Sequence, residues 1–129
     1  MIPHPSYTLE EKALVDDLVC AAAGFLLGRG RHVVIDGMAL SSAARVDELV
    51  RIATSRNVPA KIIECVCVQE TALARISGDG GSHPAGDRSR DLYFEVKARF
   101  QHVPHPALTV DTDREDDANL SAILAHLAD

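Results

Sequence analysis

With 129 residues, 47% of them hydrophobic, the chain has the size of one domain and enough apolar material for one core. Acidic side chains outnumber basic ones 19 to 13, and the net charge of -6 excludes a broadly basic face for nucleic acid or an anionic membrane, leaving small molecules and proteins as partner classes. The opening MIPHPSYTLEEK has neither a basic leader nor an apolar core, and the longest apolar window, Leu18 to Leu27, is too short for a bilayer, so a cytoplasmic protein is expected.

After Pro3 and Pro5, the run Thr8-Leu9-Glu10-Glu11 fits a capping box, and Leu14, Val15, Leu18, Val19, Ala22, Phe25 and Leu26 recur with helical spacing until Gly28 and Gly30 stop the helix. Arg31 to Gly37, RHVVIDG, then predicts a short buried strand that ends in a carboxylate, Asp36, at the place where open α/β sheets keep their ligand sites. Ser41 or Ser42 caps a second helix, with Val46, Leu49, Val50 and Ala53 as its apolar stripe down to about Arg56, and Pro59 marks the turn. Ala60 to Val68, AKIIECVCV, is apolar and β-branched enough for a central parallel strand covered on both faces, with Glu64 as its misfit. An ionised carboxylate there costs several kcal/mol unless it lies near an edge or is partnered by Lys61 or an arginine.

Gln69 to about Ile76 predicts a short helix, and SGDGGSHPAGD, Ser77 to Asp87, a mobile loop. Leu92, Tyr93, Val96 and Phe100 restore helical spacing before His102-Val103-Pro104-His105-Pro106 breaks it. Ala107 to Val110 predicts a last strand, and Leu120, Ile123, Leu124 and Leu127 give the closing helix its apolar face. The order of elements is that of a single α/β domain over residues 1–129, three-layered, with a short parallel sheet of about three strands flanked by helices. No internal repeat interrupts it.

These elements carry a resemblance. GRGRHVVIDG with Arg45 beyond it, VPAKIIECVCVQETALARI, and VKARFQ followed by PALTVDT and DDANLSAILAHL resemble the small P-loop kinases and AAA-family ATPases related to zeta toxins and polynucleotide kinases, from about Tyr7 to Leu127. HVVID is similar to their Walker B strand, so the resemblance implies that Asp36 helps hold a magnesium ion through water. It places Arg45 near the substrate side and Arg75 at the first lid arginine, which contacts the phosphates of ATP. The second lid arginine of such proteins falls at Asp79.

The phosphate-gripping loop G-x-x-x-x-G-K-[ST] occurs nowhere in the 129 residues. In the relatives, about fifty residues carrying that loop and the first two strands come before the point matching Tyr7. The chain is therefore expected to be a truncated P-loop NTPase fold. Gly78, Gly80 and Gly81 do not restore the motif, because position 83 of a G-x-G-x-x-G match is His83 and the stretch Gly78 to Gly86 holds no lysine. Arg88 and Arg90 near the loop end are weak substitutes for the missing lid charge.

The bland readings stand beside these. Asp36 doubles as a strand-end carboxylate capping the next loop, and Arg45 and Arg75 as surface helix charges. His102 and His105 are loop histidines, since Pro104 between them removes the helical geometry that would bring both to one zinc ion. Asp111, Asp113, Glu115, Asp116 and Asp117 start the last helix, where negative charge opposes the dipole. Cys65 and Cys67 share a strand face but cannot bond comfortably to each other, and the cysteines are expected to be reduced and buried.

The expectation is thus a kinase-like module without a phosphate loop, serving in binding or structure, with no cofactor. The alternative is an ATP-dependent phosphotransferase on a nucleotide or small hydroxyl substrate, using Mg-ATP and completed by a partner chain. In either case the lost first strand leaves an unmatched sheet edge, which predicts a homodimer or a protein partner that completes the sheet.

Overall fold

The structure, a computed structural model, describes residues 8–36, 42–78, 89–114 and 117–128. They form five helices and a two-stranded parallel sheet, in the order α1 (Leu9–Leu27), α2 (Ala43–Thr54), β1 (Ile62–Val66), α3 (Gln69–Gly78), α4 (Arg90–Arg99), β2 (Ala107–Asp111) and α5 (Asp117–Ala128). The chain divides into two units, Met1–Ala60 and Lys61–Asp129.

In the first unit, α1 starts where the capping box predicts. Thr8 has extended backbone and its hydroxyl accepts from the Glu11 N–H at 3.2 Å, a cap worth about 1 kcal/mol, with Glu10 and Glu11 in the first turn facing the positive end of the dipole. Its other end closes by a Schellman pair, Arg31 N–H to the Leu26 carbonyl at 3.1 Å and Gly30 N–H to that of Leu27 at 3.0 Å. Gly30 sits at φ +70°, which a glycine takes without the Cβ clash of other residues. The end of α2 repeats the device with Asn57 at φ 56°: Val58 N–H reaches Ala53 at 3.1 Å and Asn57 N–H reaches Thr54 at 3.0 Å.

The two helices bury Cys20 and Ala23 of α1 and Val46 and Ala53 of α2. Small residues make this approach close. A Cβ added to Gly24 would stand 3.5 Å from Ile52 Cγ2, an ordinary contact. Leu14, Leu18 and Phe25 of α1 stay exposed.

The predicted strand before Asp36 does not form. Residues 31–36 carry no ladder among the described residues, and Val34 is 91% exposed. A short β-branched run measures fitness for a pleated, half-buried surface, and without a neighbouring strand it stays irregular. The sheet accordingly has two strands among the described residues, against about three expected.

In the second unit, β1 and β2 pair parallel, in the register Ile62 to Ala107 through Val66 to Asp111. α3 packs with α4, and α5 lies against β2, where Val110 is the buried residue. β1 is not the doubly covered strand its composition predicts: Cys65 is exposed and Val66 is 39% exposed. With one ladder partner among the described residues, β1 keeps an open edge, which is how half-buried Glu64, opposite Thr109, is accommodated. Ser77 and Gly78 close α3, whereas the rest of the expected loop, 79–87, lies outside the described residues, as do Arg88 and His83. No described helix is long and apolar enough to cross a membrane.

Candidate functional site

Asp36 and Arg45 belong to the first unit and Arg75 to the second. Asp36 ends the unladdered stretch and is exposed.

Arg45 lies in the first turn of α2 with its side chain 20% exposed and faces α1. Its Nη1 meets Glu48 Oε2 at 2.6 Å and Asp17 Oδ1 at 3.4 Å, its Nη2 meets Asp16 Oδ2 at 3.6 Å, and Cys20 Sγ lies 3.8 Å from Nη1. Burial pulls its pKa down, but the Cys20 contact and the charges of Glu48 and Asp16 outweigh it and hold the guanidinium above its ordinary value. One cation facing three carboxylates leaves local negative charge, which repels an anionic substrate and ties α1 to α2. Alongside runs an open groove of about 590 Å³, lined among others by Gly24, Phe25, Ile52, Arg51 and Arg56.

In the second unit the interest lies at the carboxyl ends of the strands, where open α/β sheets bind ligands. Val66 carbonyl accepts from Thr112 N–H at 2.8 Å and from its hydroxyl at 3.0 Å. One step on, the Val68 N–H donates to Asp113 Oδ2 at 2.6 Å, so a carboxylate continues the ladder where a backbone carbonyl would stand. Arg75, in the last turn of α3, donates from Nη1 to Thr112 Oγ1 at 3.0 Å and from Nη2 to the Thr112 carbonyl at 2.8 Å. Asp111 Oδ1 accepts from Asp113 N–H at 3.0 Å, and Asn119 Nδ2 donates to the carbonyls of Asp111 at 2.8 Å and Arg114 at 2.9 Å. The Thr71 hydroxyl, the Val68 N–H and the charge of Arg75 together hold the Asp113 carboxyl below the ordinary aspartate value.

Asp111 and Asp113 therefore finish β2 and its turn, whereas Asp117 alone of the described acids in that run opens α5, which corrects their assignment to the helix start. Thr112 and Asp113 fasten this end of the sheet, a role that composition does not reveal. The signal was the D-T-D run directly after a β-branched strand, where Asp and Thr side chains compete with backbone partners. Lys97 Nζ reaches Gln69 Oε1 at 3.1 Å and links α4 to α3 beneath this end.

His102 is exposed and His105 half-buried, and no group of three or more metal-type ligands is assembled among the described residues. Cys20 is buried as expected, but Cys65 is exposed and Cys67 half-buried, which corrects the expectation of buried thiols. A β1 lying in a two-stranded sheet with an open edge cannot cover them as a central strand would. Compared with protein-family models, with curated proteins and with solved structures, the chain matches none.

Proposed function

We propose that this chain is a kinase-like α/β module of the P-loop NTPase type that works in binding or structure rather than in phosphoryl transfer. The observation that carries the reading is the hold of Arg75 on Thr112, at 3.0 and 2.8 Å. The guanidinium that the resemblance assigns to the phosphates of ATP is engaged as a strut between α3 and the end of β2. Arg45 is engaged in the same manner by Asp16, Asp17 and Glu48. The 129 residues hold no lysine-bearing glycine loop, and without its N–H cradle a triphosphate has no anchor on them. The parallel pairing of β1 with β2 and the helices beside it support the kinase-like architecture.

A second reading is favoured by the open edge of β1. In it the chain is one part of an ATP-dependent phosphotransferase acting on a nucleotide or a small hydroxyl substrate, with a partner chain supplying the phosphate loop, Asp36 serving Mg-ATP through water and Arg45 facing the substrate. Melting in millimolar Mg-ATP, recorded on the chain alone and on the chain with any partner that co-purifies with it, separates the two. A ligand at one hundred times its dissociation constant adds about 2.7 kcal/mol, which is several degrees for a chain of this length. The module reading expects no shift, and a rise that Asp36→Ala abolishes supports the enzyme.

A further inference from the structure

We infer that the outer face of α1, formed by Leu14, Leu18, Ala21 and Phe25, is a self-association surface on which a second copy of this chain lays its own α1, antiparallel about a two-fold axis.

α1 is apolar around most of its circumference. From Ala13 to Leu27 its charged residues are Asp16 and Asp17, which lie side by side, and a helix of that kind needs cover on more than one side. α2 covers one side, where Cys20 and Ala23 are buried. Leu14, Leu18, Ala21 and Phe25 recur at i, i+4, i+7 and i+11, the spacing of a helix-pairing seam, and lie on the other side. Within the first unit no described residue covers that seam: Leu14 is 53% exposed, and Leu18 and Phe25 are each 59% exposed.

Shape and charge both select a second copy, running the opposite way. The seam is self-complementary about its midpoint. Reversed on itself, it sets Leu14 against Phe25 and Leu18 against Ala21, so that a small side chain receives a large one beside the axis and each pair occurs twice, as an isologous contact requires. α1 opens with Glu10 and Glu11 and runs out into Arg29 and Arg31, and the Arg29 guanidinium lies over the Phe25 ring, 4.4 Å from its centroid, at the rim of the seam. α2 runs parallel to α1, since Arg45 meets Asp17 at 3.4 Å whereas a Cβ on Gly28 would stand 3.1 Å from Arg56 Nη1; Arg51 and Arg56 thus join the same end. The first unit is therefore acidic where its helices begin and basic where they end. In the antiparallel pair, Glu10 and Glu11 of each copy stand level with Arg29 of the other, whereas a parallel pair sets acid on acid and base on base. The contact uses neither Asp36 nor Arg75, and it is separate from the open edge of β1, which belongs to the second unit.

Sedimentation equilibrium of the full chain tests it. The wild type sediments as a dimer at micromolar concentration, and Leu18→Glu, which brings two carboxylates together beside the axis, sediments as a monomer. Circular dichroism of that variant shows its helix content kept, because Leu18 is exposed within the fold. Arg29→Glu with Arg31→Glu in one chain, and Glu10→Lys with Glu11→Lys in another, each lose self-association, and an equimolar mixture of the two chains regains the dimer. A wild type that sediments as a monomer overturns the inference and means that the seam is covered within the chain or left bare. A dimer that survives Leu18→Glu places the contact elsewhere, the edge of β1 included, and overturns it equally, as does a mixture of the two charge variants that stays monomeric.

Discussion

Arg75 and Thr112 are joined twice, from Nη1 to the hydroxyl at 3.0 Å and from Nη2 to the carbonyl at 2.8 Å, so that the last turn of α3 is fastened to the turn that ends β2. Both bonds lie at the surface, and removing them costs about 1 kcal/mol. Arg75→Ala lowers the melting temperature by a few degrees in the absence of any nucleotide, and Arg75→Lys recovers part of the loss, because an ammonium keeps the charge but not the fork. A melting temperature indifferent to Arg75→Ala would mean that the guanidinium is not a strut.

Asp113 gives the fold a defined acid limb. The Thr71 hydroxyl, the Val68 N–H and Arg75 favour its charged form, so its folded value lies below the ordinary one. A depressed carboxylate stabilises the native state at pH above the unfolded value, and that contribution disappears as pH falls through the folded value. Asp113→Asn is therefore less stable than the wild type at pH 7, and the difference narrows on acidification through and below the ordinary aspartate range. Urea unfolding at pH 7 and at pH 3 measures it; a gap that widens in acid contradicts the assignment.

Arg45 holds together a local excess of negative charge. Arg45→Met leaves Asp16, Asp17 and Glu48 facing one another across α1 and α2 and destabilises the first unit by about 1–2 kcal/mol, discounted from a fully buried pair because Asp17 is 72% exposed. Added salt screens the unmatched carboxylates, so the cost shrinks between low and high ionic strength, and Glu48→Gln in the same background restores part of it. A cost independent of salt would point to lost packing of the arginine stem instead.

β1 has one ladder partner among the described residues, and that open edge predicts association. An exposed strand edge presents unpaired N–H and C=O groups that another chain can satisfy, and a second copy is the simplest partner. Light scattering at micromolar concentration is expected to give the mass of a dimer. A clean monomer removes the self-associating form of the account.

The helices were legible because their signals are local. Thr8 with Glu11 marked one start, Gly30 marked the turn that closes α1, and the spacing of Leu92, Tyr93 and Val96 marked α4. β1 and β2 were legible from composition, within about two residues at each end. RHVVID was misread for a physical reason: apolar β-branched residues report what a segment could bury, not whether a neighbouring strand exists to pair with it. The same blindness made Cys65 and Cys67 look buried. At the strand ends, sequence supplied Arg75 but not its partner 37 positions away, since a hydrogen bond between helix and turn leaves no periodic trace.

The central claim is that these 129 residues, with their two best-placed arginines engaged and no phosphate loop, have no grip on a nucleoside triphosphate. Isothermal titration of the chain with Mg-ATP tests it most directly. The account predicts heats no larger than dilution up to millimolar nucleotide. A saturable isotherm that Asp36→Ala or Arg75→Ala abolishes would contradict it.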